Sequence, residues 1–350
     1  MCMAHILAIR LSALGDIAMT IPVLYSFAKR YPEHEVTFLS RKMVKPLFAN
    51  MPANIHFKGI SPDDYPGVMG LYRLFRELNA SSFDAVADLH NVLRTMFLRA
   101  LFKLHGVPTA CIDKGRRERH ELVRSLHKKL VPLTSSPERY ALVFDKLGYS
   151  FPMSFTSVFA DSAAPMTGLL PLTGEKGSCR WIGIAPFAAH KGKIYPLSLM
   201  DKVISLLHDD ERNRIFLFGA GPQEKKQCEE WAKLYNRTTS LVGCFGMGEE
   251  LALMSHLDVM VTMDSANMHL ASLVHTPVVS VWGATHPYAG FCGMQAPGSR
   301  IIQADLACRP CSIYGNKKCL NRNYACLWTI SPEQIVEAVY DVCSGKEAAS

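Results

Sequence analysis

The sequence predicts an α/β protein of two halves, each with helices packed on a parallel sheet. Two observations predict it. Short β-branched runs alternate with longer segments of helical period along most of the chain, the pattern of βα units on a parallel sheet. The alternation is interrupted once, by a passage rich in Ser, Ala, Pro and Gly from Asp161 to Ser178, and then resumes. A length of 350 residues accommodates two such domains, expected over 1–165 and 166–350.

In the first half, His5 to Leu11, Val36 to Leu39, Asn54 to Lys58, Phe83 to Asp88 and Pro108 to Ile112 read as strands. Ile17 to Arg30 and Val68 to Leu78 read as helices between them. In the second half, Trp181 to Ala185, Arg214 to Phe218, Asp258 to Thr262 and Pro277 to Trp282 read as strands, and a helix runs from Pro332 to about Cys343. Two halves of this kind are expected to hold ligands in a cleft facing the carboxyl ends of both sets of strands.

Composition excludes several classes. At 49% hydrophobic and 20% charged the chain is too apolar for disorder. The apolar run Ile17 to Ala28 is bounded by Asp16 and Lys29 and contains Pro22, short of the ~18 residues of a membrane span. No signal peptide is expected, because Arg10 and Asp16 interrupt the hydrophobicity near the start, so a cytoplasmic location is expected. The net charge of +7 is partly local. Lys114, Arg116, Arg117, Arg119, Arg124, Lys128 and Lys129 crowd one segment, a field suited to an anionic partner or a solvated helix face.

Four motifs sit just after expected strands. In Ser12-Ala13-Leu14-Gly15-Asp16, Gly15 permits a tight turn and Asp16 falls at a helix start, where it serves as a functional carboxylate or as a simple cap. The loop Pro186 to Pro196 places Lys191 and Lys193 at the expected cleft, as candidate phosphate contacts or as ordinary exposed loop lysines. Phe218-Gly219-Ala220-Gly221-Pro222-Gln223-Glu224 lacks the third glycine of a dinucleotide fingerprint and reads as a turn offering Glu224 to ribose hydroxyls. Asp264-Ser265-Ala266-Asn267-Met268-His269 gathers polar groups at a helix N-terminus, where unpartnered amides and the helix dipole favour an anion, with His269 as a core histidine and Asp264 as a cap the alternative.

Taken in order along the chain, Ser12 to Asp16, Lys193-Ile194-Tyr195-Pro196, Asp264 to His269, Thr276 to Val279 and Gly283-Ala284-Thr285-His286-Pro287 resemble the lipopolysaccharide heptosyltransferases. The resemblance implies a GT-B fold of two Rossmann-like domains and inverting transfer of heptose from ADP-heptose to the lipid A inner core. It also implies chemistry that needs no metal, peripheral action at the cytoplasmic face of the inner membrane, an anionic lipid-linked saccharide acceptor, and no nucleic acid partner. By the same resemblance Asp16 is the catalytic base, Lys193 meets the donor diphosphate, and Asp264, Ser265, Met268 and His269 form the diphosphate-binding helix start. Asp88 to Thr95 resembles the acceptor-side segment, which makes Arg94, Lys114, Arg116 and Arg117 candidates for acidic sugars or phosphates. Ala266 stands where the family usually has glycine, and Phe187 where glycine is common. An epimerase or a transferase using another nucleotide sugar, and a noncatalytic nucleotide-sugar-binding protein, are the alternatives.

Eleven cysteines without an export signal argue against a disulfide scaffold. Cys308, Cys311, Cys319 and Cys326 are spaced C-x2-C-x7-C-x6-C in the loop 308–326, a departure from the usual paired C-x2-C, so a structural zinc is one candidate and free thiols or an oxidation-prone cluster are the others.

Overall fold

The computed structural model describes residues 3–160 and 163–347, with side chains described as far as Gly345. Asp161 and Ser162, the first residues of the expected interdomain passage, lie outside them. The chain forms two compact units, Met1–Gly115 with Thr134–Val158, and Arg116–Leu133 with Phe159–Ser350.

The first unit carries five parallel strands, β1 (His5–Ile9), β2 (Glu35–Arg41), β3 (Ile55–Ile60), β4 (Ala85–Asp88) and β5 (Thr109–Cys111), in the order β3-β2-β1-β4-β5. Each matches an expected strand. Helices α1 (Leu14–Ala18), α2 (Ile21–Arg30), α3 (Gly67–Asn79) and α4 (Leu93–Leu104) connect them. The expected single helix over Ile17 to Arg30 is broken at Met19 and Thr20. Inside a continuous helix the ring of Pro22 would clash with the carbonyl of Ala18; the break moves Pro22 into the first turn of α2, where its missing N–H costs nothing. Leu7, Ile9, Leu39, Leu74, Val86, Leu98 and Phe102 form a core on one face of the sheet.

The chain leaves this unit at Gly115. Helix α5 (Arg116–Leu122) and the stretch to Leu133 belong to the second unit, and α6 (Ser136–Asp145) returns to pack beside α2. The basic segment, expected with the N-terminal half, is therefore divided: Lys114 stays in the first unit while Arg116 and Arg117 lie in the second. Its anchor is Lys128, whose Nζ donates to the carbonyls of Ala307, Cys308 and Arg309 at 3.2, 2.9 and 2.8 Å.

The second unit holds β6 (Arg180–Ala185), β7 (Asn213–Leu217), β8 (Thr238–Ser240), β9 (Val259–Met263), β10 (Val278–Trp282) and β11 (Arg300–Gln303), all parallel, in the order β11-β10-β9-β6-β7-β8. Strands β9 and β10 are buried at every residue, as a sheet covered on both faces requires. The expected linker contains a short helix, α7 (Leu170–Thr173), and is tied down by Lys176, whose Nζ lies 2.8 Å from Asp258. Then follow α8 (Leu197–His208), α9 (Gly221–Leu234), α10 (Met247–Met254), α11 (Ala266–Leu273), α12 (Ala325–Trp328) and α13 (Pro332–Glu347), the last packed on α8 and the sheet. No helix among the described residues is long and apolar enough to cross a membrane.

Candidate functional site

In each sheet the chain reverses its direction of travel across the strands once, between β1 and β4 in the first unit and between β6 and β9 in the second. Loops leaving the carboxyl ends of the strands diverge at such a point and open a crevice. Both polar clusters expected from the sequence lie there.

In the first unit, Asp16 follows β1 and sits in the first turn of α1. Its Oδ2 pairs with Nη2 of Arg10 at 2.8 Å, and its Oδ1 accepts from the Tyr140 hydroxyl at 3.4 Å. Arg10 is 7% exposed in its side chain and Asp16 29%, so a buried cation orients a carboxylate that solvent reaches. The Arg10 guanidinium also donates to the Leu89 carbonyl and lies 5.2 Å from the centre of the Tyr140 ring. His90, at the end of β4, closes the cluster. Its Nδ1 accepts from the Leu11 amide at 3.4 Å and its Nε2 lies 3.2 Å from the Ser12 hydroxyl. Burial, with the charges of Arg10 and Lys114, pushes the imidazole down to about 4. His90 is thus neutral at physiological pH, and Asp16 is the one carboxylate in the group.

Arg10, His90 and Tyr140 were not singled out from the sequence. The signal available was the adjacency of β1 and β4, which puts both strand ends side by side, but strand order is not written in periodicity. Asp88, heading the expected acceptor-side segment, is fully buried: Oδ1 accepts from the amides of His90 and Asn91 at 3.0 and 2.7 Å, and Oδ2 holds Arg99 at 2.9 Å. Asp88 shapes the turn that carries His90. Arg94 donates to the carbonyls of Pro62 and Tyr65 at 2.9 and 3.1 Å, which fixes one end of its guanidinium. Arg117 is 93% exposed in its side chain and pairs with Glu121 at 3.5 Å, while Arg119 is buried with its guanidinium 4.4 Å from the ring centre of Phe291.

In the second unit the loops after β6, β9 and β10 interlock. Lys193 and Asp264 pair at 2.9 Å, with side chains 16% and 4% exposed. The Gly192 carbonyl accepts from the Ala284 amide at 2.8 Å, and a Cβ on Gly283 would meet that same carbonyl oxygen at 2.5 Å, so only glycine allows the approach. Tyr195 is fully buried and donates to the Ile330 carbonyl at 2.8 Å, which anchors the loop below the lysines. Ser265 starts α11 with extended backbone and no side-chain cap, and it is partly exposed with Ala266 and Asn267. The amides at this helix start therefore face a position that an anion can fill. Met268 has no exposed surface and His269 is 7% exposed, so the Met268 side chain packs in the core. The Glu224 carboxylate accepts from the Ala220 amide at 2.7 Å at the start of α9.

Arg309, from the cysteine loop, crosses beneath this region. It donates to the carbonyls of Gly283 and Thr285 at 2.6 and 3.0 Å. Cys308, Cys311, Cys319 and Cys326 line one cavity of about 250 Å³, and burial pushes the Cys326 thiol up to about 11. Among the described residues no three such side chains converge closely enough to hold a metal ion. The expected zinc therefore draws no support from the geometry.

These features define a pair of parallel-sheet α/β units, each with a polar cluster at its switch point, and comparison with known proteins assigns the family. The model of glycosyltransferase family 9 (heptosyltransferase) matches residues 71–324, and the chain belongs to that family. It is accordingly a glycosyltransferase of heptosyltransferase type with a GT-B fold. Among its relatives, lipooligosaccharide heptosyltransferase 2 of Campylobacter jejuni is 22% identical, covering 93% of this chain and 95% of its own. Lipopolysaccharide heptosyltransferase 3 of Escherichia coli K12 is 25% identical over 77% of this chain and 80% of its own. The structure of E. coli ADP-heptose lipopolysaccharide heptosyltransferase II shares the fold, with a TM-score of 0.73 at 19% identity, covering 98% of this chain and 99% of that one.

Proposed function

We propose that the protein transfers heptose from ADP-heptose to the inner core of lipid A, with inversion and without a metal in the chemical step. The observation that carries this reading is the pair of polar clusters at the two sheet switch points: a lone, oriented carboxylate in one unit, and a lysine beside an open helix N-terminus in the other. Family membership and the names of the relatives support heptose as the sugar and a lipopolysaccharide core as the acceptor class.

In the proposed reaction an acceptor hydroxyl attacks the anomeric carbon of the donor from the face opposite the diphosphate. Asp16 takes the hydroxyl proton as the new C–O bond forms and the bond to the diphosphate breaks. Arg10 and Tyr140 hold the carboxylate in position, and neutral His90 adds no competing charge. The departing diphosphate gains charge, which Lys193 and the amides at Ser265 stabilise more strongly as the bond breaks than before. Arg94, Lys114, Arg116 and Arg117 then serve an anionic, lipid-linked acceptor at the cytoplasmic face of the inner membrane.

Incubating the pure protein with a panel of nucleotide sugars and a heptose-deficient lipid A core tests this directly. Acceptor-dependent ADP release, with ADP-heptose preferred, is the expected result. Turnover with a uridine-linked sugar and none with ADP-heptose would overturn the donor assignment.

A further inference from the structure

Outside the Lys193–Asp264 cluster, the second unit carries an open pocket of about 580 Å³ formed by the loop after β6 and the loop 315–324. His190, Lys191, Lys317, Lys318, Arg322 and Tyr324 supply its functional side chains, and no carboxylate lines it. Among the described residues, none of Lys191, Lys317, Lys318 and Arg322 is ion-paired with an acidic side chain. We propose that this pocket binds a phosphate group on the saccharide acceptor.

Three observations carry the inference. Cations that share a concave pocket without counter-charge repel one another, an arrangement that an incoming polyanion relieves. The walls are also built rather than loose. A Cβ on Gly315 would meet Lys193 Cγ at 2.5 Å and one on Gly192 would meet the Gly315 carbonyl oxygen at 2.9 Å, so the two loops are locked at glycine distance and the backbone that carries these cations is held in place. Gly315 holds a φ of +75°, which favours glycine. Finally, the Lys191 ammonium lies 5.5 Å from the ring centre of Tyr324, so an aromatic face stands beside the charges. Sugar rings pack on aromatic faces, and phosphates pair with ammonium and guanidinium groups. Concavity and this size suit a compact phosphorylated sugar rather than an extended nucleic acid backbone. Lys193, on the same loop, turns away to Asp264, so the pocket is separate from the expected diphosphate position.

The ligand class rests on the saccharide-transfer reading, whereas the pocket is tested by binding alone. Calorimetry compares a hexose phosphate, the free hexose, inorganic phosphate and ADP on the wild type, on Lys317→Ala/Lys318→Ala, and on a control that removes equal charge from α9, Lys225→Ala/Lys226→Ala. The hexose phosphate should bind saturably and more tightly than hexose or inorganic phosphate. The pocket variant should lose about tenfold or more of that affinity, the worth of one charge-assisted contact, while the control loses less than about twofold. ADP affinity should be unchanged in both. No saturable binding, equal losses in the two variants, or inorganic phosphate binding as tightly as the hexose phosphate would each overturn the proposal. ADP binding without transfer would instead count against the heptosyltransfer reading and leave the pocket standing.

Discussion

Nη2 of Arg10, a side chain only 7% exposed, lies 2.8 Å from Oδ2 of Asp16. The pair joins the last turn of backbone after β1 to the first turn of α1, and its geometry aims one oxygen of Asp16 while leaving the other on the Tyr140 hydroxyl. A carboxylate held this way needs no reorganisation before it accepts a proton. Arg10→Met removes the aim but keeps much of the volume, and kcat should fall about 10- to 100-fold with ADP affinity unchanged. Arg10→Lys should recover part of the loss, since one ammonium can still reach the carboxylate. An Arg10→Met enzyme with wild-type kcat would show that Asp16 needs no such support.

Lys193 and Asp264 form the most deeply buried ion pair near the expected donor position. Lys193→Met leaves a carboxylate that is 4% exposed without its partner, which should cost about 3 kcal/mol of stability. Adding Asp264→Asn removes the orphaned charge and should restore most of that stability. ADP affinity should stay at least about tenfold weaker in the double variant, because the cation is still missing. Lys191→Met should leave ADP affinity nearly intact. Full recovery of ADP binding in the double variant, read by calorimetry, would mean that Lys193 acts only as a structural partner.

The depressed imidazole of His90 predicts a pH dependence. Its folded value is about 4, below the ~6.5 of an unfolded chain, so the unfolded state binds the extra proton first as pH falls. The contribution to stability is therefore complete above pH ~6.5 and is lost progressively as pH falls toward 4. Between pH 7 and pH 5 the wild type should lose about 2 kcal/mol more than His90→Gln in denaturant titrations. His286, also pushed down to about 4 by burial beside Arg309 and Lys128, is present in both proteins and cancels in the difference. Parallel pH profiles for the two proteins would show that His90 charges freely in the folded state.

Much of this architecture is legible in the sequence because a doubly covered parallel sheet writes its strands as apolar runs. β9 and β10 are such runs and stand where expected. β8 and β11 were not expected. β8 is three residues of Thr and Ser, and β11 is an edge strand with mostly exposed side chains, so neither carries a hydrophobic pattern. Asp16, Lys193 and Ser265 were legible because each closes a motif next to a strand. Their partners were not. Arg10 reaches Asp16 across the turn after β1, while His90 and Tyr140 come from other segments, the last 124 positions away, which only strand order and the return of α6 bring to it. The placement of Arg116 and Arg117 was misjudged for a similar reason. Their charges read as one run with Lys114, while the bonds that assign the segment to the second unit run from Lys128 to backbone carbonyls about 180 residues later, which no side-chain pattern announces.

The central claim is that Asp16 is the base, and Asp16→Asn tests it most directly, since the amide keeps the size and can still hydrogen-bond but accepts no proton. ADP release from ADP-heptose in the presence of a heptose-deficient core acceptor should fall by about two to four orders of magnitude. Calorimetry on the same preparation should find ADP binding within about twofold of wild type, because the proposed donor contacts lie in the other unit. A variant that turns over at a near-wild-type rate would contradict the account and transfer the role of base to another residue.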